Sequence, residues 1–564
     1  MKIFETRLAL ALPLVLATLS TAGCRKQPTT DPGMCDDFEL DVERVWSTSQ
    51  RKQVRAGMEA LIGSKTVNVE RVVTKMDAVS RDWVMMSRRA CKDTVERKTM
   101  PAEVYVRVTM CLNSALVQQR TLVTQLEHVD MTSYEHIDQA MLDISEQITT
   151  CQNEAVVSYY RKPEETADAS AAEIADAKTA EARTLVALGQ YEDATVLLEE
   201  ASAAASKSGD ERRQIDASVA ACNHAILLGE VDHALGHGRP ALALAQKSGY
   251  TLGESDALTC LGTAELRSGH FVEARAHLDG ALKLREAIFG PEHPRVADSL
   301  NRLGNLDEKL ADYRSAHDLY ERALEIWTKS LGASDPITTR AQHNLGAVHV
   351  GLDDLPGAVA WYTQAINTER DSLGPDHPAT VLSEANLGGV KLQIGEIEDA
   401  FDMLQHALSV QEKLLGPNHP ETAATYLRLG DAWAAKKSWD SALEWYQKSL
   451  AARLALYGEQ HLETAESYDA IGRALTKKKQ WDEARSNLDK ARAIREALLG
   501  TDNLVTALSY FNLGVHHQAR KQWADALGWF EKSLAIEERV RGVSHRLTLE
   551  TKATVEQLRD VVGR

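Results

Sequence analysis

The chain has 564 residues with only 33 glycines and 14 prolines, and its 82 acidic against 64 basic side chains give a formal net charge of −18. So few breakers in so long a chain favour helix and leave little material for strands, while 44% hydrophobic residues suffice to fill a core and exclude bulk disorder. The acidic excess is spread along the chain and repels phosphate backbones, so nucleic acid is not an expected partner.

Residues 1–24 read as a targeting segment: Lys2 and Arg7 precede a 12-residue apolar run, Leu8 to Leu19. A bilayer-spanning helix needs about 20 such residues, so the run fits a signal sequence better than a permanent anchor. It ends in Thr21-Ala22-Gly23-Cys24, which resembles the bacterial lipoprotein cleavage box, although that family usually carries Leu where Thr21 stands. The resemblance implies a lipid on Cys24, and Arg25 in place of a retention aspartate implies the outer membrane. Ordinary secretion and an uncleaved or cytosolic chain are the alternatives.

Residues 25–35 then form a polar tether. From 36 to 160 four helices are expected, roughly Asp37–Leu61, Val67–Lys98, Glu103–Val129 and Ser133–Gln152, packing most simply as an antiparallel bundle. Such a bundle brings Cys35, Cys91, Cys111 and Cys151 to one end. An even count there fits two disulfides in an oxidising compartment. Of the three pairings, Cys35–Cys151 with Cys91–Cys111 is favoured, whereas Cys222 and Cys260 are expected to be buried free thiols. Residues 161–180 are a linker or a lead-in helix.

From there to about 550 the sequence repeats. A glycine after Leu or Ile recurs every 42 residues at Gly262, Gly304, Gly346, Gly388, Gly430, Gly472 and Gly514, each followed twelve residues later by an alanine, Ala274 to Ala526. A large residue precedes each alanine by three, Phe271 to Trp523, and a second glycine closes each unit. Ala194 and Ala234 extend the series to nine units. Each unit reads as two helices that cross closely at the small residues, and units must stack to bury their apolar faces. The expected fold is therefore all-α: an N-terminal bundle, an α-solenoid of about nine helix pairs over 181–550, and a C-terminal helix or cap over 551–564.

The Leu-Gly, large residue, alanine and second aromatic (Tyr320, Tyr362, Tyr446, Phe530) resemble the tetratricopeptide consensus. The 42-residue period and joints such as Gly374-Pro375-Asp376-His377-Pro378 are similar to its kinesin-light-chain subtype. That resemblance implies a scaffold that binds a peptide or protein partner in a concave groove. It places Cys260, Arg302, Asn344, Asn386, Arg428, Ala470 and Asn512, two residues before each Leu-Gly glycine, on the groove. Asparagines there could hold an extended backbone and the two arginines a carboxylate; the same residues could instead cap or bridge neighbouring helices. The bundle (Trp46, Trp83, Cys91-Lys92-Asp93-Thr94, Arg107, Met110-Cys111-Leu112, Cys151) is similar to the region between kinase and repeats in large bacterial membrane-bound serine/threonine kinases. It implies, as an alternative function, a sensor or regulatory ectodomain acting with a separately encoded kinase.

No kinase signature, phosphate-binding loop or nucleophile elbow occurs, so no enzyme, cofactor or metal is expected. The joint histidines His293, His377, His419, His461 and His545 read as caps of the following helices. His233 and His237 lack a third ligand, and Gly236, Gly238 and Pro240 argue against a continuous helix around them.

Overall fold

The computed structural model describes residues 35–62, 66–543 and 545–563, and within them every regular element is helical. Among these residues no helix is long and apolar enough to cross a membrane. Cys24 and its cleavage box lie outside the described residues.

The bundle comprises α1 (Phe38–Glu43), α2 (Thr48–Ile62), α3 (Thr66–Val95), α4 (Ala102–Glu127) and α5 (Met131–Thr150), followed by a single turn, α6 (Glu154–Val157). The expected first helix is broken between α1 and α2. Ser47 starts a new helix there: its backbone N–H donates to Gln50 Oε1 (2.9 Å) and its Oγ accepts from the Gln50 N–H (3.3 Å), a capping box written in the sequence as Ser-x-x-Gln. Trp46 and Trp83 anchor the core; their indole N–H groups donate to Asp77 Oδ1 and to the Leu112 carbonyl, each at 2.7 Å.

That break corrects the cysteine pairing. It folds α1 back along α3, where Arg88 pairs with Glu39 and Lys92 lies near Asp36, and this sets Cys35 beside Cys91 rather than Cys151. The bonds are Cys35–Cys91 and Cys111–Cys151, both with Cα atoms 5.6 Å apart. The four cysteines do share one end of the bundle, but helix phase turns Cys111 toward the end of α5. Each bond closes a loop of 56 or 40 residues, worth about 4 kcal/mol on the chain-entropy view.

Nine antiparallel pairs follow: α7 (Ala169–Ala187) with α8 (Tyr191–Ser208), α9 (Glu211–Leu227) with α10 (Val231–Ser248), α11 (Thr251–Arg267) with α12 (Phe271–Phe289), α13 (Pro294–Lys309) with α14 (Tyr313–Leu331), α15 (Pro336–Gly351) with α16 (Leu355–Ser372), α17 (Pro378–Ile394) with α18 (Ile397–Leu414), α19 (Pro420–Ala435) with α20 (Trp439–Tyr457), α21 (Leu462–Lys477) with α22 (Trp481–Leu499), and α23 (Leu504–Ala519) with α24 (Trp523–Val540). A last helix, α25 (Arg546–Val562), caps the stack. The lead-in segment is thus the first helix of the first unit. Pro240 does not break α10, which runs through it and through both glycines.

Within a unit the two helices approach so closely that the Leu-Gly glycine faces a large side chain sixteen residues on. A Cβ on Gly304 would come within 2.5 Å of Tyr320, and one on Gly472 within 2.7 Å of Leu488. In the second unit the sizes are exchanged. Cys222 stands where the glycine would be, and Gly238 replaces the large partner, with Cys222 Sγ at 3.1 Å from a Cβ there. The exchange leaves room for Cys222 to bond Cys260 of the next unit, so these are not the free thiols expected from their spacing.

The stack coils back on itself. Asp353, in the turn of the fifth unit, takes two hydrogen bonds from Arg546 (2.5 and 2.6 Å), and Ala311 packs on the cluster of Leu504, Ala507, Tyr510 and Ile536. The bundle lies along the edge formed by the unit joints. Tyr134 meets His377 (ring centroids 5.1 Å), Gln139 accepts from Arg340 (3.0 Å), Glu146 pairs with Arg295 (3.2 Å) and Lys75 with Asp335 (2.7 Å). At 1.5 Å per residue, the α5 positions that meet successive units fall about 9 Å apart, the spacing of packed helices.

Replacing Gly304 by Ala should lower stability in urea by about 1–2 kcal/mol, because collision with Tyr320 outweighs a helix-propensity gain of about 1 kcal/mol. Gly388→Ala, whose Cβ would clear Leu404 by 3.0 Å, should cost less. Equal or stabilising effects would remove the close crossing as the packing constraint.

Candidate partner-binding groove

The joints position the first helix of each unit. Each joint glycine from Gly290 to Gly542 has positive φ, between 77° and 97°, a backbone region that glycine enters without strain. Three residues on, His293, Asp335, His377, His419, His461, Asn503 and His545 cap the next helix by accepting from the backbone N–H two residues later. The histidines cap through Nδ1, which requires a neutral ring. Burial first, then Arg295 and Arg285, push His293 down to about 4, and burial likewise brings His377 to about 4.

On the row two residues before the glycines, the five polar side chains named from the sequence are all engaged. Arg302 Nε donates to Asp298 Oδ2 (2.9 Å) and Nη1 to Thr263 Oγ1 (3.2 Å). Asn344 donates to Asn301 Oδ1 (2.8 Å), and Asn386 donates to His343 Nε2 (2.9 Å) while its Oδ1 accepts from Arg428 Nη2. Asn512 donates to both oxygens of Asp469 (3.0 and 2.8 Å) and is almost fully buried. All of these bonds except Arg302–Asp298, which lies within α13, cross from one unit to the next. The sequence reading overlooked the neighbouring row that accepts them, Asn301, His343 and Asp469, although it carries the same 42-residue period.

Electrostatics separate the two arginines. Although burial alone would raise it, Arg302 and Arg285 hold the Asp298 carboxyl far below the usual range, so Arg302 is already neutralised. Arg428 has no carboxylate among its described hydrogen-bond partners, although its charge acts on the Glu466 and Asp431 carboxyls nearby. Its Nη1 is buried without a hydrogen-bond partner among the described residues, and the side chain lies over Gly389, where a Cβ would be 3.5 Å from Nε. Farther along, a cavity of about 180 Å³ opens beside Asn512, lined also by Trp439, Tyr446, Arg473 and Lys477. A larger cleft of about 750 Å³ lies on the bundle between α1, α2 and α3. Its charges largely answer one another, as in Arg51–Asp77 (2.9 Å) and Arg88–Glu39, so it presents no single-sign surface.

His233, weighed above as a ligand, bonds Glu230 at the surface (2.9 Å), and the adjacent His516 and His517 of α23 turn to Thr476 and to Arg485 and Gln522 respectively.

Known proteins match this arrangement. The model of the tetratricopeptide repeat matches residues 253–329, 317–371, 337–413, 379–438, 432–496 and 470–539, a continuous stretch of just over half the chain. Among solved structures, a kinesin light chain protein of nearly identical TPR-like repeats from Podosopora anserina is 24% identical over 37% of this chain and 99% of its own, with a TM-score of 0.29. BtubC (BKLC) from P. vanneervenii is 20% identical over 43% of this chain and 93% of its own, TM-score 0.31. A Rap protein complexed with competence and sporulation factor is 17% identical over 69% of this chain and all of its own, TM-score 0.43. These are likenesses of fold. No curated protein matches the sequence.

The caps give a pH dependence of definite sign. Below the ordinary histidine value of 6.5 the unfolded chain binds a proton that capped His293 refuses until about 4, so wild type loses stability across that window. Asn503 performs the same capping without titrating (2.8 Å). The stability difference between wild type and His293→Asn should therefore shift against wild type between pH 7 and pH 4 in denaturant melts; parallel pH profiles would contradict the neutral cap.

Proposed function

Because the chain belongs to the tetratricopeptide repeat family, we propose that it is a non-catalytic scaffold that holds an extended segment of a partner protein in its groove, centred on Asn386 and Arg428. The observation that carries the reading is the buried, unpartnered Nη1 of Arg428. A buried guanidinium donor without an acceptor costs free energy, and a carboxylate from an acidic or C-terminal segment would satisfy it with a charge-assisted bond. Arg302, Asn344 and Asn512 serve the scaffold itself by bridging units, and contribute to capture by keeping the groove in shape.

The same proposal places the protein on the outer surface of a membrane, held by a lipid on Cys24. Three disulfides support an oxidising compartment, and eleven residues, 25–35, separate Cys24 from the bundle.

Two experiments test these parts separately. With a photo-crosslinker at position 389, a specific crosslinked partner is expected, and Arg428→Gln should weaken its capture by more than about 1 kcal/mol, beyond any loss of stability from the one bond to Asn386. Removing Asn344 and Asn386 together is a poorer test, since both bridge units and their loss should also lower stability. Capture that survives Arg428→Gln intact moves the partner elsewhere. For the anchor, a palmitate analogue should label wild type and not Cys24→Ala; equal labelling would remove it.

A further inference from the structure

In five units the solenoid packs the fifth residue of the second helix against a residue 32 positions later in the next unit, and the pair differs from unit to unit. It is an ion pair at Arg275–Asp307, edge-to-face rings at Phe401–Trp433 (5.1 Å), an apolar contact at Leu443–Leu475, and a hydrogen bond at Arg485–His517. At the fourth and fifth units the pair is His317–His349, with ring centroids 5.4 Å apart and planes at 68°. Nothing in ordinary packing asks for two imidazoles here.

His349 is oriented. Its Nδ1 lies 2.8 Å from Asp354 Oδ2, and Asp354 Oδ1 accepts from the Gly357 N–H (3.1 Å). A side chain at Gly357 would collide with both partners, so the glycine makes room for the pair. With Nδ1–H directed to the carboxylate, the lone pair sits on Nε2, which is buried and has no hydrogen-bond partner among the described residues. In the equivalent pair His517 bonds Gln522 through Nδ1 and its Nε2 meets Arg485, the counterpart of His317, so the same ring orientation would turn His349 Nε2 toward His317. One helical turn beyond His317, Glu321 Oε1 is 3.7 Å from His317 Nε2, and the donor atoms of His317, Asp318 and Glu321 lie within 4.8 Å of one another, a group that His349 joins only through its ring contact with His317.

We propose that His317, His349 and Glu321 bind a divalent transition-metal ion of the zinc class between the fourth and fifth units, with Asp354 as the positioning residue. Two imidazoles and a carboxylate are the donors such ions select. With bonds of about 2.0–2.1 Å in tetrahedral geometry, ring centroids fall about 5.2 Å apart and a nitrogen–oxygen pair about 3.4 Å apart, so small side-chain shifts close the site. A carboxylate holding the far nitrogen of a ligand histidine is the usual outer support. Three protein ligands leave a fourth position for water.

The full chain, stripped with chelator, should bind one equivalent of Zn²⁺ in calorimetric titration, and Co²⁺ in its place should show the visible absorption of a four-coordinate site. His317→Arg installs the residue that Arg485 already provides at the equivalent place, so it should fold normally, as judged by circular dichroism, and lose the site; His349→Gln should lose it too. Asp354→Asn should weaken binding about tenfold, and His233→Gln should leave it unchanged. Binding undiminished in both His317→Arg and His349→Gln, or no binding below millimolar Zn²⁺, overturns the assignment. If His349→Gln fails to fold, His317→Arg and Glu321→Gln decide the matter alone.

Discussion

The close crossing of the two helices in each unit is the contact on which everything else rests. Because Gly304, Gly346, Gly430 and Gly514 have no side chain, Tyr320, Tyr362, Tyr446 and Phe530 lie flat against the opposite backbone. The buried alanines from Ala274 to Ala526, none of them exposed, let the helices meet again farther along. That geometry fixes the wedge angle of each unit and hence the coiling of the stack. It also brings the capped ends of the first helices into line, which forms the edge where α5 docks. Enlarging one glycine therefore disturbs a helix pair and a docking position together.

Between units the packing is less uniform, and its variation is informative. A residue near the end of each second helix faces a small one on the next unit. Arg285 donates to Ser299 (2.9 Å), Arg453 to Ser467 (3.0 Å) and Arg495 to Ser509 (2.8 Å), whereas buried Trp327 faces Ala341. At Glu369 the seam holds a carboxyl that burial pushes up to about 8, with Ser383 and Thr339 as hydrogen-bond partners. Polar meets polar and apolar meets apolar, so neighbouring units are matched and not interchangeable. A buried polar group facing the wrong neighbour would be left unsatisfied.

The period, the helix pairs, the joint caps and the all-helical class were legible because each rests on residues close together in sequence, in a pattern that recurs seven to nine times. The disulfides were not, although all the cysteines were in view. Their pairing follows from the turn at Ser47, which redirects one short helix, and from the exchange of Cys222 with Gly238 across a crossing. Both are three-dimensional consequences of one or two residues. The groove row was placed by analogy of position, but which of its members are already occupied depends on Asp298, Asn301, His343 and Asp469 in adjacent units. The docking of α5 along the joints carries no local signature, since Tyr134, Gln139 and Glu146 look like any polar helical surface until the partner edge is known.

Helical repeat stacks commonly behave as springs: tension along the axis opens the coil by small rotations at every interface, with no bond broken. Here the coil is fastened twice, by the Asp353–Arg546 clasp between turns and by α5 lying across the joints like a splint. Small rotations cannot relieve a pull until one of these gives way. The fourth to sixth units, which α5 crosses, should thus answer load as a stiff rod, with the Cys222–Cys260 bond adding a covalent limit to how far the second and third units can separate. A partner seated at Arg428 would sit inside the loop that the clasp closes, where curvature can change only if the clasp opens.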